Sequence, residues 1–134
     1  MLKEIPIKTS KRIEFVNITG KVEQAAKESK IENGICVVYA PHTTAALTIN
    51  ENADPDVIAD IIAKLNKLIP ENENYLHSEG NSDAHIKSSL LGCEKTILVK
   101  NGKLVLGTWQ GIYFCEFDGP RERKVYVEVI GEKP

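Results

Sequence analysis

The sequence predicts an α+β chain with a large mixed, mostly antiparallel sheet and packed helices. Three observations carry this reading. Apolar residues alternate with period two through short segments bounded by Gly, Pro and Asn. Three segments show helical spacing instead. After residue 92, strand-like segments follow one another around a tight turn with no helix between them. The 134 residues, 42% apolar and 27% charged, suit one domain spanning 1–134.

Residues 2–9 and 12–18 read as strands separated by Ser10-Lys11, with Ile13 and Phe15 alternating with polar neighbours. From 20 to 31 the period changes: Val22, Ala25, Ala26 and Ser29 fit one side of a helix, and Asn33-Gly34 offers a stop. A buried strand follows at 35–39, Pro41 interrupts it, and 45–50 resumes as a short strand. Asp54-Pro55-Asp56 is the clearest helix start, combining a capping carboxylate, a first-turn proline and an acidic residue at the positive end of the helix dipole. Ile58, Ile61, Ile62, Leu65, Leu68 and Ile69 then form a core-facing stripe that ends at Pro70. Residues 71–82 are polar and aperiodic, hence a loop. Asp83 is placed to cap a short helix through Leu91, with Ile86 and Leu90 facing the core and Gly92 as the stop. Residues 95–100 and 103–106 flank Asn101-Gly102, a strong hairpin signal. Strands at 111–117 and 124–130, joined by Asp118-Gly119-Pro120, complete the pattern.

The net charge of -2 and pI near 5.9 give no reason to expect a nucleic-acid backbone or an anionic membrane as partner. Three cysteines with no CxxC pair point to a reducing, cytoplasmic setting, with Cys36 and Cys115 as small core residues. No run of 18 apolar residues and no signal-peptide core is expected to take the chain into or across a membrane.

All three histidines stand at informative positions. His42 follows an apolar strand and Pro41 within PHTTAALTIN, and His77 and His85 bracket HSEGNSDAH. Three imidazoles, or two with Glu79 or Asp83, make a ligand set for zinc or a related divalent ion with a position open to water or substrate. Their spacing matches no compact ligand signature. Residue physics alone favours an exposed His77, a helix-start His85 and a structural His42. Thr43 and Thr44 can donate to a phosphate or stabilise the turn after Pro41. Lys87-Ser88-Ser89 can cradle an anion, although a solvated helix face is the commoner use. Glu51 can act in proton transfer or coordinate a metal near His42, whereas Asp54 and Asp56 are better explained by capping. Trp109 can stack on a substrate ring with Gln110 beside it, or serve as a core anchor. Along 111–117, Tyr113, Cys115 and Phe117 share one face and Ile112, Phe114 and Glu116 the other. Glu116 therefore needs a metal, a base or a hydrogen-bond partner unless its strand is an exposed edge. Arg121 and Arg123 are available for phosphate binding or a subunit contact, exposed turn arginines being the common case. No phosphate loop, dinucleotide fingerprint, metal finger or serine-hydrolase elbow is present.

Three blocks, HTTAALTINENADPDV, HSEGNSDAHIKSSLLG and GTWQGIYFCEFDGPRERKV, together with their surroundings cover nearly the whole chain. In this order and spacing they resemble the YjbQ-like family, also named the secondary thiamine-phosphate synthase family. The resemblance implies an α+β sandwich assembled as a homotrimer, with a polar pocket at the histidine blocks near a subunit boundary. It points to His42, His77 and His85 as the common site, read here as metal ligands with zinc favoured. Glu51, Asn81, Gln110 and Glu116 lie in or beside the matching blocks. HSEGNSDAHIK is shorter than in some relatives and lacks a proline some carry before the last histidine.

The expected function is a metal-associated enzyme with secondary thiamine-phosphate synthase activity, joining a pyrimidine diphosphate to a thiazole phosphate and releasing pyrophosphate. Glu51 and Glu116 are the catalytic candidates, and Thr43, Asn81, Lys87, Trp109, Gln110 and Arg121 the substrate-binding ones. Magnesium is expected to accompany a diphosphate substrate. Two alternatives stand beside it: a metal-assisted phosphate-ester hydrolase, and a non-catalytic trimer that binds a metal or a small phosphate compound.

Overall fold

The computed structural model describes residues 2–134. Its elements run β1 (Leu2–Lys8), β2 (Glu14–Asn17), α1 (Thr19–Ser29), β3 (Asn33–Tyr39), β4 (Ala45–Glu51), α2 (Pro55–Leu68), α3 (Ser82–Leu91), β5 (Glu94–Lys100), β6 (Lys103–Leu104), β7 (Gln110–Glu116) and β8 (Glu122–Glu132). The fold class is the expected α+β. The strands form two sheets, ordered β1-β8-β3-β5-β6 and β2-β7-β4, and every pairing among the described residues is antiparallel. Asp118-Gly119-Pro120 does not close a hairpin. It carries the chain from β7 in the small sheet to β8 in the large one.

The alternation read along β7 decides the layering. Ile112 and Phe114 face the large sheet and pack with Ile5 and Ile7 of β1, Cys36 and Val38 of β3, and Val125 and Val127 of β8; α1 adds Val22, Ala25 and Ala26. Tyr113, Cys115 and Phe117 face the other way, onto Ala84 of α3 and the Ile58 and Leu65 side of α2. The small sheet is thus sandwiched, which is why both faces of β7 are buried. Each large side chain there contributes about 1.5–3 kcal/mol of apolar burial. Phe15 of β2 meets Phe117 nearly edge-on, with ring centroids 6.0 Å apart and planes at 79°.

Local signals hold where they concern caps and turns. The Asp54 carboxylate accepts the Asp56 N–H at 2.9 Å, ahead of Pro55 in the first turn of α2. Asn101 and Gly102 both have positive φ, 53° and 76°, as the mirror-image two-residue hairpin turn requires. Asn33-Gly34 behaves differently from the expected helix stop. The helix ends earlier, with Lys30 in the left-handed conformation, and Asn33-Gly34 opens β3. The glycine is needed for close approach: a Cβ on Gly34 would lie 2.0 Å from the Ile130 carbonyl oxygen of β8.

Helix α3 departs most from expectation. Asn81 sits at its N-cap, and Asp83 lies inside the helix. Ile86 and Leu90, expected in the core, are 41% and 65% exposed, whereas Asp83, Ala84, Lys87 and Ser88 turn inward. The reason is a buried ionic network. Arg12 holds both Asp83 oxygens, Nη2 to Oδ1 at 3.0 Å and Nη1 to Oδ2 at 3.3 Å. Lys87 Nζ donates to Asp83 Oδ2 at 3.1 Å and to Asn66 Oδ1 of α2 at 2.8 Å. With its polar residues so anchored, α3 lays the small Ala84 against the sheet and leaves its larger apolar residues outside. The stripe of α2 is only half covered, and Leu68 is 64% exposed.

Candidate functional site

Between the end of β3 and the start of β4, Pro41 lets the chain turn out of the large sheet. The β3–β8 ladder stops at the Tyr39–Tyr126 pair, and continuing it would place Pro41, which has no N–H, opposite Lys124. His42 takes over that position with its side chain. Its Nε2 lies 2.9 Å from the Lys124 carbonyl oxygen and 3.1 Å from the Lys124 N–H nitrogen. A neutral imidazole carries one N–H, so each tautomer satisfies one of these contacts and Nδ1 takes the complementary role. The ring also stands edge-on to Phe114, with centroids 5.9 Å apart and planes at 88°.

Burial lowers the His42 pKa below its ordinary value, with the charges of Arg123 and Lys124 adding to it. The contact with the Lys124 carbonyl and the charge of Glu116 oppose the shift. The imidazole is accordingly neutral at neutral pH. With the folded value depressed, the unfolded chain binds the proton first. The stability that this contributes is complete above the unfolded value of about 6.5 and is lost as pH falls through it toward the folded value. The midpoint of urea unfolding is expected to decline between pH 7 and 5, and His42→Gln to flatten that decline.

His42 opens onto a groove of about 500 Å³ that is also lined by Thr43, His85, Ser88, Ser89 and Cys93. Among the described residues no carboxylate lines it. Ser88 is only 7% exposed, yet its hydroxyl finds no hydrogen-bond partner among the described residues. Such a buried, unsatisfied hydroxyl costs about 1–3 kcal/mol unless something arrives to bond it. Ser89 Oγ donates to the His85 carbonyl at 2.9 Å. On its other side His85 meets His77, with ring centroids 5.4 Å apart and planes at 88°, in a second cleft lined by Tyr75, Leu76 and Ile86.

His85 is therefore shared between two clefts, one containing His42 and the other His77. The expectation of a zinc centre at His42, His77 and His85 is corrected by this arrangement: no group of three His, Cys, Asp or Glu side chains that could hold a metal ion exists among the described residues. The Nε2 of His42 is committed to Lys124, and the nearest acidic partner of His77 is Glu79 at 3.7 Å, outside the groove. The magnesium expectation falls with it, since the groove offers no carboxylate.

The other candidate residues are dispersed. Glu51 Oε2 accepts from the N–H groups of Ala53 and Asp54 at 3.1 and 3.2 Å, ahead of α2. Glu116 is fully buried between the two sheets. Its Oε1 accepts from Thr9 Oγ1 and Arg123 Nε at 2.8 Å each, and its Oε2 from the Asp118 N–H at 3.0 Å and from Arg123 Nη2. Burial alone would raise its pKa; the bonds from Arg123, Asp118 and Thr9 outweigh it and hold the carboxyl below its ordinary value. Asn81 Nδ2 donates to Asp118 Oδ2 at 2.9 Å, and Arg121 folds back on Asp118 through Nε at 2.9 Å and Nη2 at 2.6 Å. Gln110 Oε1 accepts the Gly107 N–H at 2.8 Å, beside Trp109, which is 62% exposed. Lys87 is 1% exposed, its ammonium turned to Asp83 and Asn66. Of the residues named from sequence, the groove collects His42, Thr43, His85, Ser88 and Ser89. It adds Cys93, for which the only sequence signal is its place directly after the glycine that ends α3.

A family model described as UPF0047 protein YjbQ-like matches residues 3–132. The chain is 62% identical to UPF0047 protein MJ1081 of Methanocaldococcus jannaschii, over 99% of this chain and 96% of that one. It is 52% identical to UPF0047 protein YugU of Bacillus subtilis, over 98% and 100%. Among solved structures, an uncharacterized conserved protein of the YjbQ/UPF0047 family from Clostridium acetobutylicum superposes with a TM-score of 0.94 at 56% identity, covering 96% of this chain and 99% of that one. A YbjQ-like protein of unknown function from Sulfolobus solfataricus gives 0.95 at 38% identity, covering 98% and 97%.

Proposed function

The chain belongs to the UPF0047 YjbQ-like family, and on that premise we propose that it binds a small phosphorylated molecule in the groove between the His42 loop and α3. The observation that carries this is the buried, unpartnered hydroxyl of Ser88 in a groove walled by imidazoles and hydroxyls and free of carboxylates. A phosphate monoester is acceptor-rich and anionic, and Thr43, Ser88, His85 and the Nδ1 of His42 are groups that can donate to it. A neutral His42 also avoids the cost of a partly buried cation when the groove is empty.

Thiamine-phosphate synthase chemistry is the enzymatic form of the same reading. The thiazole phosphate would take the groove, and the apolar cleft beyond His85, with Tyr75, Leu76 and Ile86, supports a ring-bearing substrate. Self-association as a homotrimer belongs to the proposal as well. Its support is the outer face of the large sheet, where Leu2, Tyr39, Leu98 and Ile130 are 44–62% exposed. Three free cysteines, none of them bonded to another, support a cytoplasmic setting. No helix among the described residues is long and apolar enough to cross a membrane.

The test is calorimetric titration with inorganic phosphate and thiamine phosphate on protein whose assembly mass has been measured by light scattering, with three chains expected. Binding should be saturable and fall at least tenfold in Ser88→Ala and His85→Ala, both still folded. Absence of binding in the native chain would overturn the reading. Formation of thiamine phosphate from thiazole phosphate and the pyrimidine diphosphate decides the synthase form separately.

A further inference from the structure

The chain holds three thiols in unlike surroundings. Cys36 and Cys115 are buried in the two cores. Burial pushes the Cys36 thiol up to about 11 and that of Cys115 higher still, so both stay protonated and inert. Cys93 is exposed and lines the groove beside the unpartnered hydroxyl of Ser88. Its backbone is pinned: the Cys93 carbonyl accepts the Ala40 N–H at 2.8 Å, and the Gly92 carbonyl accepts the Leu47 N–H at 3.0 Å. These bonds tie the segment to the residue that follows β3 and to the third residue of β4, on either side of His42. The thiol is thereby held at the wall of the groove, and a group attached to its sulfur starts beside the space that a ligand would fill.

We propose that Cys93 is a covalent modification site, at which mixed-disulfide formation with a low-molecular-weight disulfide closes the groove to phosphate. The inference rests on the reading of the groove as a phosphate site. In the reaction the Cys93 thiolate attacks one sulfur of the disulfide. The new S–S bond forms as the old one breaks, and the displaced thiolate takes a proton from water, so no further oxidant is consumed. A dithiol reverses it by the same exchange. An adduct that carries carboxylates adds negative charge to bulk, and both oppose a phosphate in the same volume.

The experiment treats the native assembly with oxidised glutathione, locates the adduct by peptide mass and measures inorganic phosphate binding before treatment, after it, and again after dithiothreitol. The expected result is one adduct per chain, on Cys93. Phosphate affinity should fall at least tenfold and recover with the dithiol. Saturating phosphate should slow adduct formation at least fivefold. Cys93→Ser should take no adduct, and its phosphate affinity, whatever its starting value, should not change on treatment with oxidised glutathione. If the untreated protein does not bind phosphate, the reading of the groove fails and takes this inference with it. If the untreated protein binds phosphate but the adduct forms elsewhere, or forms on Cys93 and leaves binding unchanged, the inference fails and the reading of the groove stands.

Discussion

Replacing Asp83 by alanine is expected to lower the unfolding free energy by about 3–5 kcal/mol, the loss typical of removing one partner from a buried ion pair. Asp83 is 0% exposed and Lys87 1%, so neither charge has water to fall back on. In the variant the Lys87 ammonium keeps only Asn66 Oδ1, and Arg12 keeps only the more distant Glu71, 3.4 Å from its Nε. The double substitution Asp83→Leu with Lys87→Met removes both charges together and should return to within about 1 kcal/mol of the native chain, because the desolvation penalty disappears with the attraction. Denaturant unfolding of the two variants beside the native protein checks both numbers. The pH profile supplies an independent reading. Burial alone would raise the Asp83 pKa, but the bonds from Arg12 and Lys87 outweigh it and hold the carboxyl below its ordinary value. The contribution is therefore complete above the unfolded value of about 3.9 and is lost as pH falls through the folded one. Acid unfolding of the native chain should be steep below pH 4, and the double variant should lose part of that steepness.

The same residues show where sequence reading reaches its limit. The faces of β7 were legible because period-two alternation is a local property, and the cap of α2 was legible because Asp54 and Pro55 act within one turn. The inward face of α3 was not. Helical periodicity there is carried by Asp83, Ala84, Lys87 and Ser88, and a rule that sends apolar residues inward selects Ile86 and Leu90 instead. What turns the helix is Arg12, which comes from the segment before β2, a contact no spacing announces. His42 and His85 stood out in the sequence and do line one groove, yet a metal site demands that three donors converge on one point. The capture of the His42 ring by Lys124 follows from the register of β3 against β8 and from Pro41 having no N–H. Asn33-Gly34 has a similar history: the pair that looks like a helix stop is required by a crossing with Gly131, nearly a hundred residues away.

Glu116→Ala is the second large effect expected, also about 3–5 kcal/mol, but its repair should be poorer. Glu116 is bonded by Thr9, Arg123 and the Asp118 N–H. Arg123 in turn donates to Thr44 Oγ1 at 2.9 Å, directly beside the His42 loop. The packing allows no slack: a Cβ on Gly119 would come within 2.4 Å of the Lys11 carbonyl oxygen and 2.8 Å of Glu116 Cγ. Removing both charges in Glu116→Leu with Arg123→Met still strands the Thr44 hydroxyl and the Asp118 N–H, each at a cost of about 1–3 kcal/mol if left unpaired and dry, while the Thr9 hydroxyl keeps its bonds to Arg121. Recovery should therefore be about half or less, in contrast to the near-complete recovery at Asp83. That difference separates a clamp between sheets from a catalytic base. A carboxylate serving only in proton transfer would leave stability intact when removed, because active-site charges are commonly held at a cost to the fold. A clamp loses stability first, and its loss reaches the groove only as the His42 loop loosens. Urea midpoints and phosphate affinity, measured on Glu116→Gln and on the double variant, distinguish the two. A Glu116→Gln chain that unfolds at the native midpoint would rule out the clamp.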